Sequence, residues 1–457
     1  MRHCYIHIPY CASKCPYCGF ASVAESPPPD FMAGILRDFD EAMAHDPAPL
    51  HTIYVGGGTP THLPPEQLAL LRHLAATSSP VLTSEFLALS SEIRKEDELI
   101  PLPSRRDGSL GRYDHRTRIS EARSECEIEF TVETNPATLT DEKARILRQS
   151  GVNRVSVGAQ SFDPATLAFL GRRHTADDIA AAVRRLRNAG FANIALDLIA
   201  AVPTRSEVPA SLKFPSCGGM PASLKFPSCG GVPEGRGGFL HSLDRALALA
   251  PQHISVYTLS IEEGTPFARD NIALLPDDEQ LDQLAAAEER LAREGYLRYE
   301  ISNYALPGHE CRHNLAVWRG EDYTGIGPAA ASRNGLTRMV NPFAEVEGRR
   351  SKVEPEEDAA ERFITGLRLS EGVAIPSTPQ GAAWQDALDR LIPLGLVKKT
   401  CSMFDARRSM LDVPVTQSEH RTSNFELPTS NSLPCPPRYT LTARGREVAD
   451  AITRTLL

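Results

Sequence analysis

Cysteines at 11, 15 and 18, in the stretch IHIPYCASKCPYCGF of residues 6–20, are the densest concentration of reactive groups in the chain. Thiolates are soft ligands, and three at C-x3-C-x2-C spacing suit an iron–sulfur cluster or zinc. A structural zinc closes its tetrahedron with a fourth ligand. His7, in the run just ahead of the loop, is poorly placed to supply one. An electron-transfer [4Fe–4S] cluster also takes four cysteines, so three would leave one iron open to another ligand. Two residues past Cys18 the chain has Phe20 instead of a further cysteine.

Such a loop has to be held by rigid elements. The run RHCYIHI (2–8) reads as a strand, and five more follow: HTIYVGG (51–57), IEFTVET (128–134), VNRVSVG (152–158), NIALDLI (193–199) and HISVYTLS (253–260). Helical stretches lie near 29–46, after Pro64-Pro65, beyond an N-cap at Thr140, between an N-cap at Thr175 and a stop at Gly190, and near 278–295. Strands alternating with amphipathic helices predict βα units around a parallel sheet. Parallel barrels gather reactive groups at the C-terminal ends of their strands. Here those ends carry the cysteine loop, Gly56-Gly57-Gly58-Thr59, Glu133-Thr134-Asn135, Gln160, Asp197, and Ser260 with Glu262. A single ligand site at the mouth of a partial (β/α)6 barrel would produce that distribution.

The 457 residues carry a formal net charge of −9, which argues against a general nucleic-acid binder. No apolar run approaches the roughly 18 residues of a membrane span. MRHCYIHIPY lacks a signal peptide's apolar core, so the expectation is a cytoplasmic protein. Ten cysteines are too sparse for a secreted disulfide scaffold, and clustered ones in a reducing compartment are metal-binding or catalytic.

Residues 1–350 are expected to form the barrel and a region following it, and 355–457 a small winged-helix-like α+β domain. In the latter, EDAAERFITGLRLSEGV and WQDALDRLIPLGLVKK read as helices, and RYTLTARGREVADAITRTLL as a strand, a turn and a helix. Three stretches rich in small and polar residues, 79–125, 204–237 and 402–436, break the rhythm and read as mobile surface insertions. The middle one holds the tandem copies PASLKFPSCGGM and PASLKFPSCGGV, whose Cys217 and Cys229 fit no common metal spacing.

With the cysteine loop, the motifs GGGTPT, ETNP, VSVGAQSF, LGRRHT, LDLI, YEISNYALPGHECRHN and GLRLSEGV give a chain that resembles the HemN/HemW family of radical S-adenosylmethionine (SAM) proteins over nearly its whole length outside the insertions. The resemblance implies that Cys11, Cys15 and Cys18 hold a [4Fe–4S] cluster whose open iron takes the amino and carboxylate groups of SAM. It implies backbone approach to SAM at Gly57, Gly58 and Thr59, and contacts from Glu133, Gln160, Arg172 and Asp197. Carboxylates suit ribose hydroxyls, and a guanidinium suits the SAM carboxylate. Arg172 is preferred to its neighbour Arg173 because it falls twelve residues after Gln160. Tyr5 and Tyr17 carry over as residues near SAM and the cluster, with core packing as their alternative role.

The family has two branches. One is an oxygen-independent coproporphyrinogen III oxidase, which decarboxylates two propionates. The other is a haem chaperone, which passes haem to apoproteins, those of respiratory membranes among them. Oxidases carry a fourth cysteine where this chain has Phe20, and an N-terminal extension ahead of the first strand, where this sequence starts on the strand itself. HNLAVW (313–318) resembles the chaperone motif H-N-x-x-Y-W, although Val317 stands at the tyrosine and Ala331 stands where many relatives have histidine. His313 is therefore the expected haem ligand, as an axial imidazole, with His309 and Cys311 as alternatives and a loop-bracing histidine as the other reading. The expectation is a haem carrier on a radical SAM scaffold, with the oxidase as the alternative. An interaction protein with a purely structural cluster fits the glycine triplet and strand-end carboxylates less well.

Overall fold

The computed structural model describes residues 2–78, 128–203, 237–344, 347–400 and 438–442, together with 445, 449 and 452. The three expected insertions lie outside the described residues, except that Gly237 opens a helix, Gly237–Ala248.

All six expected strands form: β1 His3–Ile8, β2 Thr52–Gly57, β3 Glu129–Thr134, β4 Arg154–Gln160, β5 Asn193–Ala200 and β6 His253–Thr258. They pair in parallel, in chain order. Between them run the helices Phe31–His45, Leu71–Ser78, Asp141–Gln149 and Ala176–Asn188, besides Gly237–Ala248. Thr140 caps its helix by accepting from the Lys143 backbone N–H, and Thr175 forms a reciprocal capping box with Asp178; such caps stabilise by about 1 kcal/mol each.

Strand alternation divides the side chains into two sets. Ile6, Ile53, Val55, Phe130, Val132, Val155, Val157, Ile194, Leu196, Ile254 and Val256 turn towards the helices and form one buried core with them. Each such side chain stabilises by about 1.5–3 kcal/mol. The opposite set is polar: His3, Tyr5 and His7 on β1, Thr52 and Tyr54 on β2, Glu129, Thr131 and Glu133 on β3, Arg154 and Ser156 on β4, Asp197 on β5. These line the concave face of the partial barrel.

Short strands extend the sheet at both edges: β7 Leu297–Arg298, β8 Asn303–Ala305, β9 Tyr323–Ile326, β10 Ala331–Asn334, β11 Thr337–Val340 and β12 Arg349–Lys352. The order is β12-β11-β10-β9-β1-β2-β3-β4-β5-β6-β8-β7, with β9 parallel to β1 and β8 antiparallel to β6. Among the described residues the sheet does not close on itself.

A second sheet, β13 Val373–Ala374, β15 Arg438–Leu441 and β14 Val397–Thr400, is antiparallel. It packs with helices Pro355–Gly366 and Pro379–Leu391 around Phe363, Trp384, Leu388 and Tyr439, a winged-helix-like arrangement. The expected helix through WQDALDRLIPLGLVKK is shorter than its apolar pattern. It ends at Leu391, Gly395 turns the chain at φ +69, and Val397 begins β14. The expected long helix after Glu357 likewise stops at Gly366, whose missing side chain lets Val373 approach.

Candidate functional site

The cysteine loop leaves β1 at Pro9 and is pinned from two sides. Cys11 N–H donates to Val23 O at 2.9 Å, and Val23 N–H donates to Pro9 O at 2.8 Å. On the other side Gly58 N–H donates to Ile8 O and Thr59 N–H to Tyr10 O, at 2.8 and 2.9 Å, and the Thr59 hydroxyl donates to Cys11 Sγ at 3.5 Å. Cys11, Cys15 and Cys18 are all free thiols, neither sealed nor fully exposed. Burial raises the Cys11 and Cys15 thiols, and Arg172 acts against that rise.

Arg172, from beyond β4, brings a buried cation to this loop. Its guanidinium lies 5.9 Å from the Tyr17 ring centroid, and its buried Nε has no hydrogen-bond partner. Arg173 beside it is exposed. Three thiols on one pinned loop, with an orphaned guanidinium nitrogen beside them, fit the demands of an anionic thiolate cluster whose bound ligand carries a carboxylate. Among the described residues no three His, Cys, Asp or Glu side chains gather as a single metal ion needs.

His7 is occupied elsewhere. Its Nε2 is 2.8 Å from Ala21 O, which can only accept, so Nδ1 accepts from the Tyr5 hydroxyl at 3.0 Å. Tyr5 is thereby fixed against Tyr54, with ring centroids 6.1 Å apart.

Each glycine of the triplet has a close neighbour. A Cβ at Gly56 would fall 2.8 Å from the Glu133 carboxyl, one at Gly57 (φ +106) 2.5 Å from the His7 ring, and one at Gly58 2.8 Å from the Pro9 backbone. Glu133 is held by the Tyr54 hydroxyl at 2.7 Å and Gly57 N–H at 3.2 Å. Burial nevertheless raises it to about 7. Asp197 accepts from the Ser255 hydroxyl at 2.7 Å and from Ser156 at 3.0 Å, and burial raises it too.

Gln160 sits at a register shift at the end of β4 with φ 64. Left-handed backbone at a glutamine is strained and clusters at functional sites. Its amide and Arg172 both lie against Gly158. The strand-end residues thus converge on one mouth. Phe20, 68% exposed, stands open at its rim. Glu262 packs over Gly19 and accepts from the Ser260 hydroxyl at 2.8 Å.

His313 lies at the other end of the concave face, among the strand starts. It belongs to the helix Arg312–Trp318, whose first backbone N–H groups, at Arg312 and His313, donate to the Glu129 carboxylate at 3.0 and 3.1 Å. The Cys311 thiol points to the same carboxylate; burial pushes it up to about 12. His309 is half-buried. The His313 ring is buried 5.2 Å from the Tyr54 ring centroid, and burial, then His3 and Arg154, lower it to about 3.

A chain of hydrogen bonds sets which nitrogen of His313 carries a proton. His3 Nε2 is 3.1 Å from Glu321 Oε2, His3 Nδ1 is 3.0 Å from Thr52 Oγ1, and Thr52 Oγ1 is 2.8 Å from His313 Nδ1. A carboxylate only accepts, so when His3 is neutral it donates from Nε2 and accepts at Nδ1. The Thr52 hydroxyl then donates to His3 and accepts from His313 Nδ1–H. His313 Nε2 is left as a bare lone pair, with no hydrogen-bond partner among the described residues.

Tyr54, Thr52, His3, Glu129 and Arg154 escaped the sequence reading, which weighed His7 only as a poorly placed metal ligand. The period-two alternation of β1 to β4 would have placed them on one face.

Residues 5–214 match the model of the radical SAM superfamily. The chain is 30% identical to the Heme chaperone HemW of Escherichia coli (strain K12), over 80% of this chain and 82% of that protein. It is 29% identical to the Heme chaperone HemW of Bacillus subtilis, over 82% and 85%, and 27% identical to that of Mycobacterium tuberculosis H37Rv, over 99% and 94%. Among solved structures, the coproporphyrinogen III oxidase HemN of Escherichia coli superposes with a TM-score of 0.62 at 18% identity, covering 100% of this chain and 90% of that one. That likeness is one of fold.

Proposed function

Because the chain belongs to the HemW family of haem chaperones among the radical SAM proteins, we propose that it binds haem and hands it to haem-accepting apoproteins. Membrane-bound respiratory haemoproteins are the receivers the family points to. Among the described residues no helix is long and apolar enough to cross a membrane.

The observation that carries the reading is His313 Nε2, a bare imidazole nitrogen on the concave face, backed by Thr52, His3 and Glu321. A neutral imidazole is what haem iron takes as an axial ligand, and a hydrogen bond at the opposite ring nitrogen is the usual support of a metal-binding histidine.

At the mouth, Cys11, Cys15 and Cys18 would hold the [4Fe–4S] cluster. Gly57, Gly58, Thr59, Glu133, Gln160, Arg172, Asp197 and the tyrosines Tyr5 and Tyr17 would surround SAM. Bound there, the cluster supplies one-electron chemistry at the sulfonium. The protein's own part is to exclude water, offer acceptors to the ribose and neutralise charge with Arg172.

The test is an anaerobic haem titration of cluster-reconstituted protein by absorbance, with a parallel coproporphyrinogen III assay containing SAM and a reductant. Stoichiometric haem binding, weakened about tenfold or more in His313→Ala, with no porphyrinogen turnover, is the expected result. Turnover to protoporphyrinogen would make the protein an oxidase. Haem affinity and stoichiometry unchanged in His313→Ala would remove that residue as ligand.

A further inference from the structure

Arg154, on β4, is the largest fully buried side chain among the described residues, 2% exposed, and it turns to the concave face opposite Val155 and Val157. No hydrogen bond or ion pair reaches its guanidinium among the described residues, and its Nε is sealed without a partner. Its electrostatic neighbours are Cys311, Glu129, Tyr299 and Tyr54. Burial keeps the thiol and both phenols protonated at neutral pH. Glu129 is the one formal anion of the four, and its oxygens already accept from two backbone N–H groups and the Cys311 thiol.

Two further orphaned polar atoms share its face of the sheet. Thr131 Oγ1, on the residue in register with Arg154, has no partner, and neither does His253 Nδ1, whose ring lies in the field of Arg154. Buried charges in folded proteins are paired or bind something, and orphaned buried polar atoms mark water, an ion or a ligand. A cation, a hydroxyl and an imidazole nitrogen left without partners on one face describe a site for an anion with hydrogen-bonding oxygens.

We propose that Arg154 is the anion anchor of the concave face, taking a carboxylate of the molecule held there; on the haem reading above, on which this identity of the guest rests, that carboxylate is a haem propionate. His313 faces the same stretch of sheet: its ring lies 5.2 Å from that of Tyr54, and Tyr54, Thr131 and Arg154 stand in register across β2, β3 and β4. A guanidinium offers a planar fork that matches a carboxylate.

The experiment uses the full-length protein and compares haem with haem dimethyl ester, whose propionates carry no charge. Wild type should bind haem about tenfold or more tightly than the ester. Arg154→Met should bring haem down to the affinity of the ester while leaving the ester unaffected, and Arg154→Lys should keep part of the preference. The ligand-free Arg154→Met protein should melt at the wild-type temperature or above it, because an unpaired buried charge has been removed.

A wild type indifferent to esterification, or an Arg154→Met variant that loses both ligands equally or melts several degrees lower, would overturn the anchor while leaving haem binding intact. Failure of wild type to bind either porphyrin would instead overturn the haem reading. The anchor is then judged on the melting temperature in glutarate, a probe with carboxylates alone. A rise in wild type that Arg154→Met lacks would sustain it, and no rise would end it.

Discussion

Thr52 Oγ1 lies 2.8 Å from His313 Nδ1, and through Thr52 and His3 the Glu321 carboxylate is linked to a buried imidazole 5% exposed. Thr52→Val keeps the shape of the side chain and removes the hydroxyl. His313 then has no acceptor holding its proton on Nδ1, so the tautomer with Nε2 protonated becomes populated. The expected result is haem affinity lowered about three- to tenfold and a changed axial-ligand signature in the haem absorbance, with stability lowered by about 1–2 kcal/mol. An unaltered haem spectrum would show that Thr52 does not set the tautomer.

Glu133 gives a pH dependence of definite sign. The folded protein holds its proton to about pH 7, because burial outweighs the Tyr54 and Gly57 hydrogen bonds, whereas the unfolded chain releases it near 4.5. Between those values the folded state binds more protons, so stability falls as pH rises. The difference corresponds to about 3 kcal/mol. His313 works the other way: held neutral in the fold down to about pH 3, it costs stability as pH falls below its ordinary 6.5. Melting of ligand-free Glu133→Gln against wild type from pH 5 to 8 isolates the first effect. The variant should gain on wild type from pH 5 to about 7 and level off above it, while binding SAM less well at pH 8. Parallel curves would mean that Glu133 ionises normally.

The helix-facing half of the barrel was legible because β-branched runs at Ile53, Val55, Val132, Val155 and Val157 pack on helices wherever βα units repeat. The concave half was not. A polar inward face such as His3, Tyr5 and His7 has the same period-two pattern as a solvent face, and only the curvature of the sheet makes Glu129 and Arg154 interior. The edge strands β7 to β12 are two to four residues long, and β12, RRSK, is exposed throughout, so no apolar pattern announces them. At the mouth the cysteines, glycines and Glu133 could be read from type and position. The partners that orient them, Tyr54 for Glu133 and Ala21 O for His7, depend on distances of 79 and 14 residues along the chain.

The antiparallel unit is tied to the edge of the barrel sheet by a charge network. Asp358 accepts from Arg333, from Arg338 at 2.6 Å and from Arg362 at 2.7 Å, and Glu361 accepts from Arg333 at 3.0 Å and Arg338 at 2.6 Å. Arg333 and Asp358 are buried. Asp358→Asn leaves Arg333 with Glu361 alone and is expected to cost about 2–4 kcal/mol. Arg362→Ala, with a side chain 40% exposed, should cost under about 1 kcal/mol. The hydrogen-bonded Asp358 carboxyl is held below its ordinary 3.8, so its contribution is present above that value and lost as pH falls through the lower one. Chemical denaturation at pH 7 and pH 3 reads both points, and equal losses in the two variants would remove the network as the tie.

Gly57 separates backbone strain from steric contact. At φ +106 any L side chain is strained, and its Cβ would also fall 2.5 Å from the His7 ring, which links Tyr5 to Ala21 in the cysteine loop. Gly308 has φ +84 and open space where a Cβ would go. Gly308→Ala therefore measures conformational strain alone, about 1–2 kcal/mol. Gly57→Ala should cost at least about 1 kcal/mol more, and by displacing His7 it should lower the iron retained after cluster reconstitution, which Gly308→Ala should leave unchanged. Thermal denaturation and iron analysis of the two variants decide it. Equal costs and equal iron would mean that His7 yields freely, and that the contact between Gly57 and His7 does not hold the cysteine loop in place.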